Sequence, residues 1–167
     1  LHIDQYPYYD YASHSIRFEE MLACLGNIKA GDVVMLHGCC HNPCGADLSQ
    51  EQWRQIRNIA LQQGFTVFID LAYQGLGDGL EEDVYGARLL AESLPELIVV
   101  TSCSKNFGLY RERTGAMTLV TDSDATTAIA TTQIAAAARA MYSMPPDHGA
   151  AVVQLILNDP ALRSEWD

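Results

Sequence analysis

Positive charge is scarce in this chain. Ten Lys and Arg stand against 21 Asp and Glu in 167 residues, a formal charge of −11. Nucleic-acid binding needs clustered Lys and Arg to neutralise phosphates, so the acidic balance argues against it. Long apolar runs are missing too. The longest, around Phe65–Ala72 and Leu97–Val100, fall well short of the roughly 20 residues of a membrane span. No stretch near Leu1 joins a basic region to an apolar core, so no secretory signal is visible. Repeats, low-complexity tracts and linkers are absent, which points to one domain or part of one.

Cysteine is limited to Cys24, Cys39, Cys40, Cys44 and Cys103. An odd number with three crowded together fits the reduced thiols of a cytoplasmic protein better than a disulfide framework. Lysine occurs twice, as Lys29 and Lys105, so either one in an unusual setting stands out. An initiator Met is missing ahead of Leu1-His2-Ile3, and Glu165-Trp166-Asp167 reads as mid-helix. The expectation is a piece of a longer polypeptide. What the chain does have is an ordinary globular balance, 49% hydrophobic and 19% charged. A soluble chain of this length buries roughly 68–70% of its unfolded surface, enough for a sizeable core.

Periodicity gives the elements. Residues 1–15 are aromatic and irregular, with Tyr6, Tyr8, Tyr9 and Tyr11 close together. Phe18, Met21, Leu22 and Leu25 recur at helical spacing and predict a helix over Ile16–Asn27. Val33–Leu36 reads as a buried strand, and His37–Leu48 as a loop. Ser49 and Gln52 have the spacing of a capping box for a helix that runs to Gln63, with Gly64 as its C′ residue. Phe65–Ile69 is a second strand, ending at Asp70. A glycine-rich loop follows, then a helix over Asp83–Ser93. There Glu81-Glu82-Asp83 reads as a solvated, acidic helix start. Leu97–Thr101 and Ala116–Thr121 are further strands, and Ala125–Met141 and His148–Asn158 further helices. Trp53 and Trp166 read as packing residues. Continuous apolar strands alternating with helices predict an α/β fold of three layers, a mostly parallel sheet with helices on both faces.

Open parallel sheets bind ligands beyond the carboxyl ends of their strands. Here those ends carry His37 and Asn42, then Asp70 and Tyr73, then Ser102, Ser104 and Lys105, with Arg113 further on. A carboxylate ending a strand is expensive to leave unpaired, although it also serves as an ordinary turn acid. A lysine between small hydroxyls is either a solvated loop residue or an amine whose pKa falls in a partly desolvated pocket, making it a nucleophile toward carbonyls. Taken together, amine, acid and guanidinium fit pyridoxal phosphate, which needs a lysine for its aldehyde, an acid for its ring nitrogen and a cation for its phosphate.

Three ordered motifs carry a resemblance. They are Gly38-Cys39-Cys40-His41-Asn42-Pro43-Cys44-Gly45, Asp70-Leu71-Ala72-Tyr73-Gln74-Gly75, and the run from Ser102-Cys103-Ser104-Lys105-Asn106 to Arg113-Thr114-Gly115. Together they resemble the class I aminotransferases, most closely the aspartate and aromatic-amino-acid branch. The resemblance implies that residues 1–167 form the central part of the large pyridoxal-phosphate-binding domain of a fold-type I transferase, with the N- and C-terminal parts outside the chain. It implies Lys105, Asp70 and Tyr73 as catalytic residues. Lys105 would bond the cofactor and shuttle the proton, and Asp70 would keep the pyridine nitrogen protonated. Asn42 and Tyr73 would hydrogen-bond the ring oxygen, and Asn42 would also border the substrate. Ser102, Ser104 and Arg113 would grip the phosphate. His37 would support Asp70, and the Asn42–Pro43 bond would be cis. Arg139 would bind the distal carboxylate of a dicarboxylic substrate across a homodimer interface; taken alone it reads as a helix-end cation. The substrates implied are aspartate or an aromatic amino acid with 2-oxoglutarate. Cys44 and Thr114 depart from the residues usual at those positions. Because several cofactor and substrate contacts of the family lie outside the chain, residues 1–167 alone are expected to transaminate poorly.

Other readings stay open at this level. His37, Cys39, Cys40, His41 and Cys44 offer soft ligands, but no distant second pair completes a zinc site. Adjacent Cys39 and Cys40 also point opposite ways if they continue the strand. A lyase or decarboxylase of the same fold, or a regulatory domain that keeps the fold without the chemistry, is a further alternative.

Overall fold

The computed structural model describes residues 2–167, and Leu1 lies outside them. Tyr9–Asp10 (β1) and Ser15–Ile16 (β2) pair as a short antiparallel ribbon within the aromatic start. Ile16 therefore belongs to a strand, and the first helix, α1, is shorter than its periodicity predicts, Phe18–Leu25.

The main sheet holds Val33–His37 (β3), Thr66–Leu71 (β4), Leu97–Ser102 (β5) and Gly115–Val120 (β6) in the order β3-β4-β5-β6. The first three run parallel; β6 returns antiparallel to β5. Gln50–Gln63 (α2) links β3 to β4, and Tyr85–Ser93 (α3) links β4 to β5. Such crossovers are right-handed, so two that step the same way along a sheet put their helices on the same face. Accordingly α1, α2 and α3 pack side by side.

Alternation along the strands follows from this. Val34, Leu36, Val67, Ile69, Leu71, Leu97 and Val99 are buried with Met21 and Leu25 of α1, Trp53, Ile56 and Ala60 of α2, and Ala87 and Leu90 of α3. Each such aliphatic side chain contributes roughly 1.5–3 kcal/mol on burial. The intervening residues face the other way and are more open. Val33 is 62% exposed and Met35 52%.

α2 has both ends that its sequence predicts. Ser49 and Gln52 exchange hydrogen bonds as a capping box, and Gly64 takes the left-handed conformation (φ 75°) that ends the helix. A side chain with a Cβ is strained there.

Beyond the sheet lie Asp124–Tyr142 (α4), His148–Asn158 (α5) and Pro160–Trp166 (α6). α4 buries no residue, and Ile129, Met141, Tyr142, Met144 and Leu155 are exposed. Among the described residues, no helix is long and apolar enough to cross a membrane.

Candidate functional site

Every strand of the parallel part ends at one rim, and the residues predicted for the site, Arg139 excepted, lie at or just past those ends. Asp70 is paired in register with His37 of β3 and Val100 of β5, so the three side chains share the half-open face of the sheet. Past β3, the Gly38 N–H donates to the Asp70 carbonyl at 2.8 Å, which carries the pairing to the end of the strand. His37 thus stands beside Asp70 with its ring 4.3 Å from that of His41.

The β3 exit loop is built around aromatic contacts. The His41 ring stacks on Tyr8 at 4.0 Å, and its Nδ1 lies 3.0 Å from Cys44 Sγ. Desolvation, and then the neighbouring His37, hold the His41 imidazole below its usual range. Tyr8 donates its hydroxyl to the Ala46 carbonyl, and burial raises its pKa. Tyr6, donating to the Met35 carbonyl, is pushed up to about 12 by burial. Asp47 accepts from the Cys40 and His41 N–H groups. Asn42 is exposed at the loop tip, and its bond to Pro43 is cis, as the resemblance implies.

Lys105 follows β5 in a turn closed by the Gly108 N–H to the Lys105 carbonyl. Its Nζ lies 5.2 Å from the Tyr73 ring centre and 5.1 Å from that of Tyr110. Both rings stabilise the cation electrostatically. Ser102 Oγ accepts the Ser104 N–H, and Ser104 is only 8% exposed. The Cys103 N–H donates to the Thr114 carbonyl, so the segment leaves β5 and returns to β6 at the same end of the sheet. Arg113 sits at that return in a left-handed conformation (φ 54°), exposed, with Nη1 on the Tyr110 carbonyl. Arg139 is exposed in the last turn of α4 and takes part in none of the hydrogen bonds of this rim.

The donor set fits pyridoxal phosphate. A carboxylate, an amine, a phenol, two hydroxyls and a guanidinium are grouped along one sheet edge. Those are the chemistries that its ring nitrogen, aldehyde, ring oxygen and phosphate call for.

Three features depart from the sequence expectations or lie beyond them. Tyr110 was assigned no role from sequence, yet its ring is as near to Lys105 as that of Tyr73. Asp83 is not part of a solvated helix start. It is 7% exposed, ahead of α3, and accepts three backbone N–H groups of the preceding glycine-rich loop. The signal available in sequence was the run Gly75, Gly77, Gly79 just before an acid. Cys39 and Cys40 do not diverge, because β3 stops at His37 and Cys40 is left-handed (φ 48°). Their thiols and the Asp83 carboxylate lie within 4.8 Å of one another. The carboxylate oxygens are already turned to loop amides, and burial, reinforced by the charge of Asp83, raises the Cys39 pKa and keeps its proton on sulfur. Trp53 is buried, and Trp166 stacks on Phe107 at 4.5 Å, both as packing residues.

Comparison with known proteins agrees with this geometry. A family model described as aminotransferase class I and II matches residues 1–166. An aromatic-amino-acid aminotransferase of Paracoccus denitrificans is 48% identical over 166 residues, covering 99% of this chain and 42% of the relative. An aspartate aminotransferase of Escherichia coli is also 48% identical, covering 100% of this chain and 42% of the relative. Among solved structures, the aromatic-amino-acid aminotransferase of Burkholderia pseudomallei covalently bound to pyridoxal phosphate superposes with a TM-score of 0.94. It is 42% identical and is matched over 96% of this chain and 40% of that one. The chain therefore spans about 42% of the length of the curated relatives it matches.

Proposed function

The chain belongs to the class I and II aminotransferases, and from that premise we propose that it is the central part of the large cofactor-binding domain of a transaminase. The enzyme moves an amino group between aspartate or an aromatic amino acid and 2-oxoglutarate. Pyridoxal phosphate, when bound, supplies an aldehyde and an electron-withdrawing ring.

The residues at the rim divide the work. Lys105 would hold the aldehyde of that group through Nζ, the carbonyl oxygen leaving as water, and as a free amine would act as the base that takes a proton from the substrate's Cα and the acid that passes it on. Asp70 holds a proton on the ring nitrogen, and His37, its neighbour in register, supports the acid. Tyr73 and Asn42 donate hydrogen bonds to the ring oxygen. Ser102, Ser104 and Arg113 bind the phosphate, Arg113 through paired N–H donors. Arg139 binds the distal carboxylate of a dicarboxylic substrate in the partner subunit of a homodimer. The exposed Ile129, Met141 and Tyr142 of α4 are apolar surface for such contacts, and for the parts of the enzyme outside this chain. The assembled enzyme acts in the cytoplasm on small amino and oxo acids, without nucleic acid or membrane.

Lys105 standing over the Tyr73 ring, with Asp70 three residues before that tyrosine, is the observation that carries this proposal. The test is a transamination assay of the full-length enzyme with aspartate, tyrosine or phenylalanine and 2-oxoglutarate. Glutamate formation that is lost in Lys105→Ala is expected. Amino-acid decarboxylation without glutamate formation would overturn it.

A further inference from the structure

Asp83 lies outside the predicted site, yet its environment is tied to it. Its Oδ2 accepts the N–H groups of Gly75 and Gly77 at 2.8 and 3.0 Å, and its Oδ1 that of Asp78 at 2.9 Å. No Lys, Arg or His forms an ion pair with it among the described residues. A carboxylate this deeply buried is costly, and three amides offset the cost only if the loop wraps tightly round it. The wrap is tight. A Cβ at Gly77 would meet Asp83 Oδ1 at 2.5 Å. Further bonds close the loop on itself, from the Leu76 N–H to the Tyr73 carbonyl and from Gln74 Nε2 to the Leu80 carbonyl.

The same loop holds the lysine segment. Asn106, next to Lys105, donates Nδ2 to the Gln74 carbonyl at 3.2 Å. Its Oδ1 is buried without any partner. Burying half an amide unpaired is unfavourable, so the site tolerates that cost where the other half has a task. On the far side, the Asn106 carbonyl accepts from Trp166 Nε1 at 2.8 Å. A continuous path therefore runs from Asp83 through the glycine loop and Gln74 to Asn106 and Lys105, and closes where Lys105 Nζ meets the Tyr73 ring.

We propose that Asp83 is a positioning residue for the lysine: it clamps the loop after Tyr73 and, through the Gln74–Asn106 bond, sets where the Lys105 amine stands against Tyr73. The proposal rests on the lysine's role given above.

The test uses the full-length enzyme with Asp83→Ala, Asp83→Asn and Asn106→Ala. In the cofactor-free protein, limiting acetic anhydride and peptide mapping report the reactivity of Lys105 relative to the exposed Lys29 as a function of pH. In Asp83→Ala and Asn106→Ala this ratio shifts by about three-fold or more, and kcat of the loaded enzyme falls about ten-fold with KM little changed, as expected for a misplaced catalytic group. Asp83→Asn, which keeps one acceptor oxygen, falls between wild type and Asp83→Ala. Folded variants, judged by circular dichroism, in which the Lys105:Lys29 ratio and kcat both stay within about two-fold overturn the proposal. If Asp83→Ala does not fold, Asn106→Ala decides alone, because it cuts the path without touching the clamp. A wild-type enzyme without transaminase activity would refute the proposed function instead, and the labelling ratios of the cofactor-free protein would still decide the role of Asp83.

Discussion

Lys105 and Tyr73 leave different strands, yet the Lys105 amine lies 5.2 Å from the centre of the Tyr73 ring. The tyrosine has two parts with separable effects. Its ring face stabilises the cation, and its hydroxyl is the group proposed to bond the cofactor's ring oxygen. Tyr73→Phe keeps the first and removes the second. A lost hydrogen bond to a charged group costs about 1.5–3 kcal/mol, so kcat should fall roughly 10- to 100-fold. Steady-state kinetics of the full-length variant check this, and an unchanged kcat would remove the hydroxyl from the chemistry.

Asp70 presents its carboxylate on the half-open face beside His37. Asp70→Asn is nearly the same shape without the charge. Removing one preorganised electrostatic contact of this kind costs about 10²–10³ in rate. The expected outcome is a loss of that size with the unfolding midpoint nearly unchanged. A large fall in stability with little loss in rate would make Asp70 a structural acid.

His41 gives a pH dependence. Burial, and after it the neighbouring His37, hold its pKa below the usual imidazole value. The unfolded chain then binds more protons than the folded one between the two values. Stability is therefore full above the ordinary imidazole range and is lost as pH falls through it toward the lower folded value. Thermal melts of wild type should show that decline. His41→Phe, which keeps a ring stacked on Tyr8, should flatten it. An equal slope in both proteins would contradict the assignment.

Gly86 of α3 packs on Trp53 so closely that a Cβ would sit 2.4 Å from the indole. Gly86→Ala should therefore destabilise by about 1–3 kcal/mol through overpacking. Trp53→Ala, which leaves a cavity, should cost about 3–5 kcal/mol. Denaturant titration of each variant measures both.

Much of this was legible in the sequence, for physical reasons that differ by residue. Val34, Leu36, Val67, Ile69 and Leu97 announce the sheet because strands buried beneath helices must be apolar. Ser49, Gln52 and Gly64 mark the ends of α2 because capping and the left-handed turn are local requirements. Asp70 and Lys105 could be picked out because a charge ending an apolar strand needs a reason. Asp83 was misread because an acid before a helix is solvated in most settings, and only the fold reveals three amides bent round it. How Cys39 and Cys40 point was not legible, because the left-handed backbone of Cys40 is set by the loop, not by its own side chain. The Tyr8–His41 stack is a contact between distant segments that no local pattern encodes, and Tyr110 is brought onto Lys105 by an irregular turn with no periodicity to announce it.

The central claim is that the Lys105 amine is the group that captures the cofactor's aldehyde. Borohydride reduction of the full-length, cofactor-loaded enzyme, followed by proteolysis and mass spectrometry, tests it most directly. The reduced pyridoxyl group is expected on the peptide that contains Ser104-Lys105-Asn106. Its recovery on any other lysine, or on none, would contradict the account.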